Sequence, residues 1–360
     1  MTNANETKGK KKKRIFYFDA LRALAIICVI IIHIYAFTKA NVISEYAAIP
    51  SIKWVFTQFL GIPFRIGVDL FLMLSGALSL GRVWDIKTFL GKRLPRIVSP
   101  FIFWNVVLVS LFFIISYFTS MKIVNSFDIM SILTYFYGAI TANALGFRPN
   151  WFFWMILGTY LIMPIFNKWL LHSELTEAEY FLFFWLITGI FDYTLFTEFP
   201  IKLSYFTSPI GLVVLGYYLR YTERKIFKNK IFVWTLILIP LILSMVISTL
   251  LSSPTRMYMF NRYSILMCLE VAGVFLLFRN TDFKINENGV IYKFIFSLAK
   301  YSYGIYLLHY PILLILVRLL SPMSQIPLCI LLFVLLIPIV LIIMSLLNRV
   351  PYVNRVIGAK

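Results

Sequence analysis

Runs of about 20 apolar residues recur along the chain, the length a helix needs to cross a bilayer's hydrocarbon core. Ten stand out: 15–37, 60–81, 97–118, 150–171, 180–197, 205–221, 231–251, 260–279, 295–319 and 326–347. A membrane barrel would instead alternate polar and apolar residues over segments of about ten, and no such segments stand out. The pattern predicts an all-α fold, a polytopic integral membrane helical bundle of about ten transmembrane helices. The links 82–96 (Arg82, Lys87, Lys92, Arg93, Arg96), 220–230 (Arg220, Arg224, Lys225, Lys228, Lys230) and 279–293 (Arg279, Lys284, Lys293) are basic. With ten alternating spans all three share one side with Arg349, Arg355 and Lys360. The cytoplasmic bias of Lys and Arg then predicts cytoplasmic N- and C-termini. The link 172–179, on the same side, is acidic, but acids weigh little in this rule.

The segment 127–144 is apolar but short, with Asp128 and Asn143 at its ends. If it spanned, every later link would change sides and the basic 220–230 link would lie outside. It reads as an interfacial or re-entrant piece of the longest outer loop. The expected organisation is a basic cytoplasmic tail over 1–14, one transmembrane domain over 15–348 and a short cytoplasmic tail over 349–360.

Composition agrees. The chain of 360 residues is 61% hydrophobic and 14% charged, against about 45–50% apolar for soluble domains. Its net charge of +19 resides largely in the links and in the run Lys8–Arg14, which orients the chain and is attracted to anionic lipid. That distribution argues against nucleic acid as a partner. The first run resembles a signal peptide in charge pattern, but its length, Asp19 and Arg22 argue that it stays as a helix. Cys28, Cys268 and Cys329 all fall in apolar runs without metal-like spacing, so buried hydrophobes are expected and no metal.

Ionisable residues inside spans are costly and usually functional. In the first run Arg22 and His33 lie eleven residues apart, about three helical turns or roughly 16 Å of rise, and Asp19 shares their face. The second run carries Arg65 and Asp69, spaced i,i+4 for pairing. Counted from the outer edge, Asp69 sits at a depth similar to His33. A carboxylate on one imidazole nitrogen would orient the ring as a general base; a charge pair merely tying two helices is the alternative. Of the other histidines, His172 begins a link, whereas His309 lies within a span with Tyr306 one turn away. His309 either lines the same site or bonds between helices. Glu270, deep in the eighth run, has Arg22 or a histidine as candidate partner. Lys92, Arg93 and Arg96 either clamp a phosphate or serve only as an orienting link.

These residues, taken in order, resemble acyltransferase family 3, membrane proteins that O-acylate cell-surface glycans and related acceptors. Phe18–Ala25 (FDALRALA) followed by His33 resembles the family's first-helix signature of an arginine and a histidine with ten residues between. Gly67–Gly76 (GVDLFLMLSG) resembles its second-helix signature, and Arg93–Arg96 (RLPR) its inner arginine pair. Asn150–Phe153 (NWFF), with Tyr160 and Pro164, resembles its tryptophan-containing helix, and Tyr301–Pro311 (YSYGIYLLHYP) its late Tyr–Leu–His–Pro motif. The resemblance implies an acyl-coenzyme A donor, usually acetyl-coenzyme A, with its phosphates on Arg93, Arg96 and Lys92. It also implies a glycan acceptor, a surrounding membrane lipid bilayer and a bacterial-type plasma membrane location. The expected chemistry uses His33 as base, or as the residue transiently acylated, with Asp69 and Asp19 in support and Arg22 stabilising charge. His309, Tyr306, Trp151 and Glu270 are candidate substrate-binding residues. Intramembrane Arg, His, Asp and Glu also mark transport paths, so a transporter or flippase of a glycan or lipid-linked precursor is the competing class. A non-catalytic assembly subunit is a third.

Overall fold

The computed structural model describes residues 15–43, 61–195, 197, 209–250, 262–320, 323 and 325–359. The expected basic segment 1–14 and the beginnings of the runs at 60, 205 and 260 lie outside the described residues. Among the described residues the fold is all-helical. In order come α1 (Phe16–Ile43), α2 (Gly67–Ser79), α3 (Ile86–Phe118), α4 (Ile129–Ile140) and α5 (Trp151–Leu171). Then follow α6 (Leu175–Ile190), α7 (Pro209–Tyr221), α8 (Lys230–Leu250), α9 (Ile265–Asn280), α10 (Val290–Leu320) and α11 (Gln325–Leu347).

Each of the ten apolar runs coincides with one of these helices. Six helical stretches are long and apolar enough to cross a membrane: Phe16–Phe37, Ile86–Phe118, Arg148–Leu171, Lys230–Ile247, Val290–Leu320 and Pro327–Leu347. α2 and α7 have 13 residues and α6 and α9 have 16. α7 is buried on every side from Ile210 to Leu219, as befits a helix that is apolar all round. α4 is 12 residues long, about 18 Å at 1.5 Å per residue, and differs from the similarly short α2 and α7 in being largely unburied. Its apolar Ile129, Met130, Leu133 and Tyr137 are exposed. The Asn150 amide donates to Ala139 O (2.7 Å) and Trp154 Nε1 to Ile140 O (2.8 Å), pinning its end to the start of α5.

The segment 82–96, expected as a link, is largely helix. Asp85 caps α3 by accepting from Thr88 N (2.9 Å). Those Thr88 contacts hold its exposed carboxyl below the usual carboxylate range. Arg93 and Arg96 therefore stand on a helix, one turn apart, and Pro95 is accommodated inside it.

The basic links gather at one end of the bundle, because they touch one another. Phe16 stacks on Tyr292 and meets Phe283 edge-on. Arg279 donates to the carbonyls of Leu219 and Thr222, closing the end of α7. Arg224 grips Glu179 with two hydrogen bonds (2.6 and 2.5 Å). Several basic residues are thus structural. At the opposite end Arg318 donates to Lys122 O (2.8 Å).

α1 packs between α2 and α10, and α2 packs closely on α7. The last contact depends on two glycines facing each other's backbone. A Cβ at Gly76 would strike Val213 O, and one at Gly216 would strike Met73 O. Small residues of this kind let membrane helices approach closely. Gly76→Val or Gly216→Val is expected to lower the thermal midpoint in detergent, reflecting an overpacking cost of about 1–3 kcal/mol or more. Gly158→Ala, where a Cβ meets nothing within 4 Å, is the control. It is expected to match or slightly exceed the parent, since Ala favours helix by about 1 kcal/mol over Gly.

Candidate functional site

Two cavities lie along the face of α1 that meets α2 and α10. The first, about 360 Å³, sits toward the basic end. Its lining includes Arg22 from α1, Arg93 and Arg96 from α3 and Arg355 from the segment after α11. Ser75, Tyr160, Ser302 and Tyr303 add polar groups. The second, about 370 Å³, lies further along α1 and is lined by His33, Tyr35, Arg65, Trp151 and Arg262. Tyr306 lines both.

Helical periodicity explains the arrangement. On α2, Phe71, Leu74, Ser75 and Leu78 line the first cavity, and Gly67 and Val68 the second. These positions recur every three or four residues, so they form one stripe. On α1, Arg22 and then Val29, Ile32, His33 and Ala36 do the same. Tyr306 is shared by the two linings. Its hydroxyl donates to Pro149 O (2.7 Å), and its ring lies 4.8 Å from that of Phe152.

The partner of His33 is His309, not Asp69. His309 is fully buried, and its Nε2 lies 2.9 Å from His33 Nδ1. The tautomers follow from acceptor chemistry. His309 Nδ1 faces the carbonyls of Tyr306 (2.7 Å) and Ile305 (3.1 Å). Carbonyls only accept, so Nδ1 carries the hydrogen. Neutral His309 then presents a bare Nε2, which accepts from His33 Nδ1–H. That leaves Nε2 of His33 as its remaining lone pair, on the ring that lines the second cavity. A proton added there is stabilised by the neighbouring imidazole, the relation of a base to its orienting group. His309 itself lines neither cavity.

The other expected residues are placed as follows. Asp69 is one position off the α2 stripe, about 100° round the helix, and faces α9. It is fully buried, and neither carboxylate oxygen has a hydrogen-bond partner among the described residues. Its electrostatic neighbours are Arg262, Tyr263, Cys268 and Glu270. The expected Arg65–Asp69 hydrogen bond is therefore not formed. Asp19, also buried, accepts from Arg22 at 3.2 Å and lines neither cavity. Lys92 is exposed and outside the lining, although Arg93 and Arg96 are in it. Arg93 Nη2 donates to Ser79 Oγ (2.8 Å). Glu270 is buried against Asp69 and hydrogen-bonds to neither Arg22 nor a histidine. Trp151 lies beneath the Arg262 guanidinium, 4.1 Å from ring centre to cation. Among the described residues no cluster of His, Cys, Asp and Glu fits a metal ion.

Sequence reasoning did not single out Arg262 or Arg355. An arginine entering the eighth apolar run was a visible signal for Arg262. Arg355 carried none, because it lies beyond the last run.

A family model for an acyltransferase domain, that of acyltransferase family 3, matches residues 15–349, nearly the whole chain. No curated protein and no solved structure matches it.

The imidazole pair is open to a direct check. Nitrogen-15 NMR of histidine-labelled protein has only three rings to resolve. In their neutral forms His33 and His309 are expected as Nδ1–H tautomers. An Nε2–H tautomer at His309 contradicts the hydrogen-bond assignment.

Proposed function

The chain belongs to acyltransferase family 3, and from that premise we propose a membrane O-acyltransferase that spans the bilayer ten times. It moves an acyl group, acetyl in the first instance, from cytoplasmic acyl-coenzyme A to a hydroxyl of a cell-surface or lipid-linked glycan. The basic end faces the cytoplasm, following the bias of Lys and Arg, and the membrane is a bacterial-type plasma membrane. One observation carries this reading: an arginine-lined cavity and an imidazole-lined cavity share Tyr306 in their walls.

Each part of that arrangement answers a need of the reaction. The donor carries several phosphate charges at one end and a thioester at the other. Guanidinium groups bind phosphate through charge-assisted hydrogen bonds. Arg93 and Arg96, one turn apart on a helix, meet that need with Arg22. The arm leading to the thioester follows α1 past Tyr306, within the roughly 16 Å of rise between Arg22 and His33. There His33 Nε2 removes the proton of the acceptor hydroxyl as its oxygen attacks the thioester carbonyl. The same proton leaves with the thiolate when the tetrahedral intermediate collapses. His309 holds the ring and shares the charge. The buried setting limits hydrolysis of the thioester. Arg65 and Arg262 beside His33 suit an acceptor bearing its own negative charge.

Purified protein in lipid, given radiolabelled acetyl-coenzyme A and cell-envelope glycan, is expected to form base-labile ester on the glycan. His33→Ala is expected to lower turnover about 10²–10⁴-fold, the usual contribution of general acid–base catalysis, while still binding coenzyme A. Full activity in His33→Ala would refute the mechanism. A glycan that crosses the membrane unmodified would establish the transporter class instead. Arg93→Ala with Arg96→Ala is expected to raise the KM for donor by at least about tenfold with turnover at saturation kept, since a hydrogen bond to a charged group contributes about 1.5–3 kcal/mol.

A further inference from the structure

The segment after α11 is not a loose tail. Residues 351–359 fold back onto the basic end of the bundle and form part of the first cavity wall, where Arg355, Gly358 and Ala359 all face it. This stretch lies beyond the 15–349 matched to the family. Several independent features build the return. Tyr352 adopts φ +64, a left-handed conformation uncommon outside glycine, and turns the chain back while its side chain stays exposed. A short 3₁₀ turn over Val353–Arg355 follows. Ile357 is then fully buried, and its carbonyl accepts from Trp104 Nε1 of α3 (3.1 Å). Gly358, at φ +83, lies against Gly304 of α10, and a Cβ at Gly304 would strike Ile357 O. Two bare backbones thus meet in a slot made for this segment.

The charge placed there has a consequence. The cavity is lined by four arginines and no aspartate or glutamate among the described residues. Arg22 is matched by Asp19 at 3.2 Å, and Arg93 is engaged with Ser79. Arg96 and Arg355 have no acidic partner among the described residues. Arg355 is exposed at the cavity, and its guanidinium lies 5.6 Å from the Tyr352 ring centre. Uncompensated guanidiniums converging from two separate elements call for a ligand with more than one anionic group.

We propose that Arg355 is a phosphate ligand of the donor, and that residues 351–359 are a working wall of the donor site. The inference rests on the donor reading above and adds a binding residue outside the family-matched region. Arg93 and Arg96 on α3 take one part of the polyphosphate, and Arg355, on the segment docked against α3 through Trp104, takes another.

The test is the dissociation constant for coenzyme A, by calorimetry on the full chain in lipid nanodiscs. Arg355→Ala is expected to weaken binding about tenfold, as for loss of one charge-assisted hydrogen bond. Arg355→Lys should recover part of that loss, because it keeps the charge without the fork. Arg355→Ala should also flatten the dependence of affinity on salt, which a merely structural role would not change. A chain cut after Arg349 should lose at least as much affinity as Arg355→Ala. An unchanged thermal midpoint of the ligand-free Arg355→Ala protein confirms that it folds. If Arg93→Ala weakens binding and Arg355→Ala does not, the inference is overturned and the donor reading stands. If the parent protein fails to bind coenzyme A at all, both fall.

Discussion

The contact on which the site depends is the one between α1 and α10, and its chemical centre is the hydrogen bond between His33 and His309. Two neutral imidazoles 2.9 Å apart can share one added proton but not two, because a second would set N–H against N–H. The backbone carbonyls of Ile305 and Tyr306 fix which nitrogen of His309 is bare. That in turn fixes which nitrogen of His33 is free to act. The packing of α10 on α1, with α2 on the other flank, therefore decides a protonation pattern as well as a fold. Tyr306, one turn before His309, lines both cavities. A single helix thus carries both the partner of His33 and the residue shared by the two cavity walls.

Charge is divided by task within the same molecule. Arg220, Arg224 and Arg279 satisfy carbonyls, a carboxylate and aromatic faces where helices end. They close the bundle at its basic end. Arg22, Arg93, Arg96 and Arg355 point at a cavity instead. The net charge of +19 is thus not a uniform field, and only a minority of the described basic residues faces the site. The second cavity has its own cations, Arg65 and Arg262, of which Arg262 rests on Trp151.

Much of this was legible in the order of residues. The ten apolar runs all correspond to helices, and the Arg22–His33 spacing picked out a face that does line both cavities. His309 was legible as an intramembrane imidazole, although its partner was not. The errors have a common physical origin. Rise along a helix gives depth, but not direction about the axis. Asp69 matched His33 in depth and still faces α9. Lys92 was grouped with Arg93 and Arg96 by adjacency, yet one residue along a helix is about 100° of rotation, and it points away from the cavity. The start of α3 was missed because its charges read as a link, although Phe89, Leu90, Leu94 and Ile97 recur at helical spacing and pack on the core, and Asp85 supplies the cap. The docked segment after α11 could not be read at all. Its contacts to Trp104 and Gly304 join residues far apart in the chain, and nothing local announces them.

The central claim is that the two cavities are one path, with donor phosphates at the arginines and the acyl carbon at His33. The most direct measurement is a cryo-EM map of the protein with a non-transferable thioether analogue of acetyl-coenzyme A. The account predicts the phosphates among Arg22, Arg93 and Arg96, and the analogue's carbonyl beyond Tyr306 within reach of His33 Nε2. Phosphates seated instead beside Arg65 and Arg262, or an analogue bound outside both cavities, would contradict it.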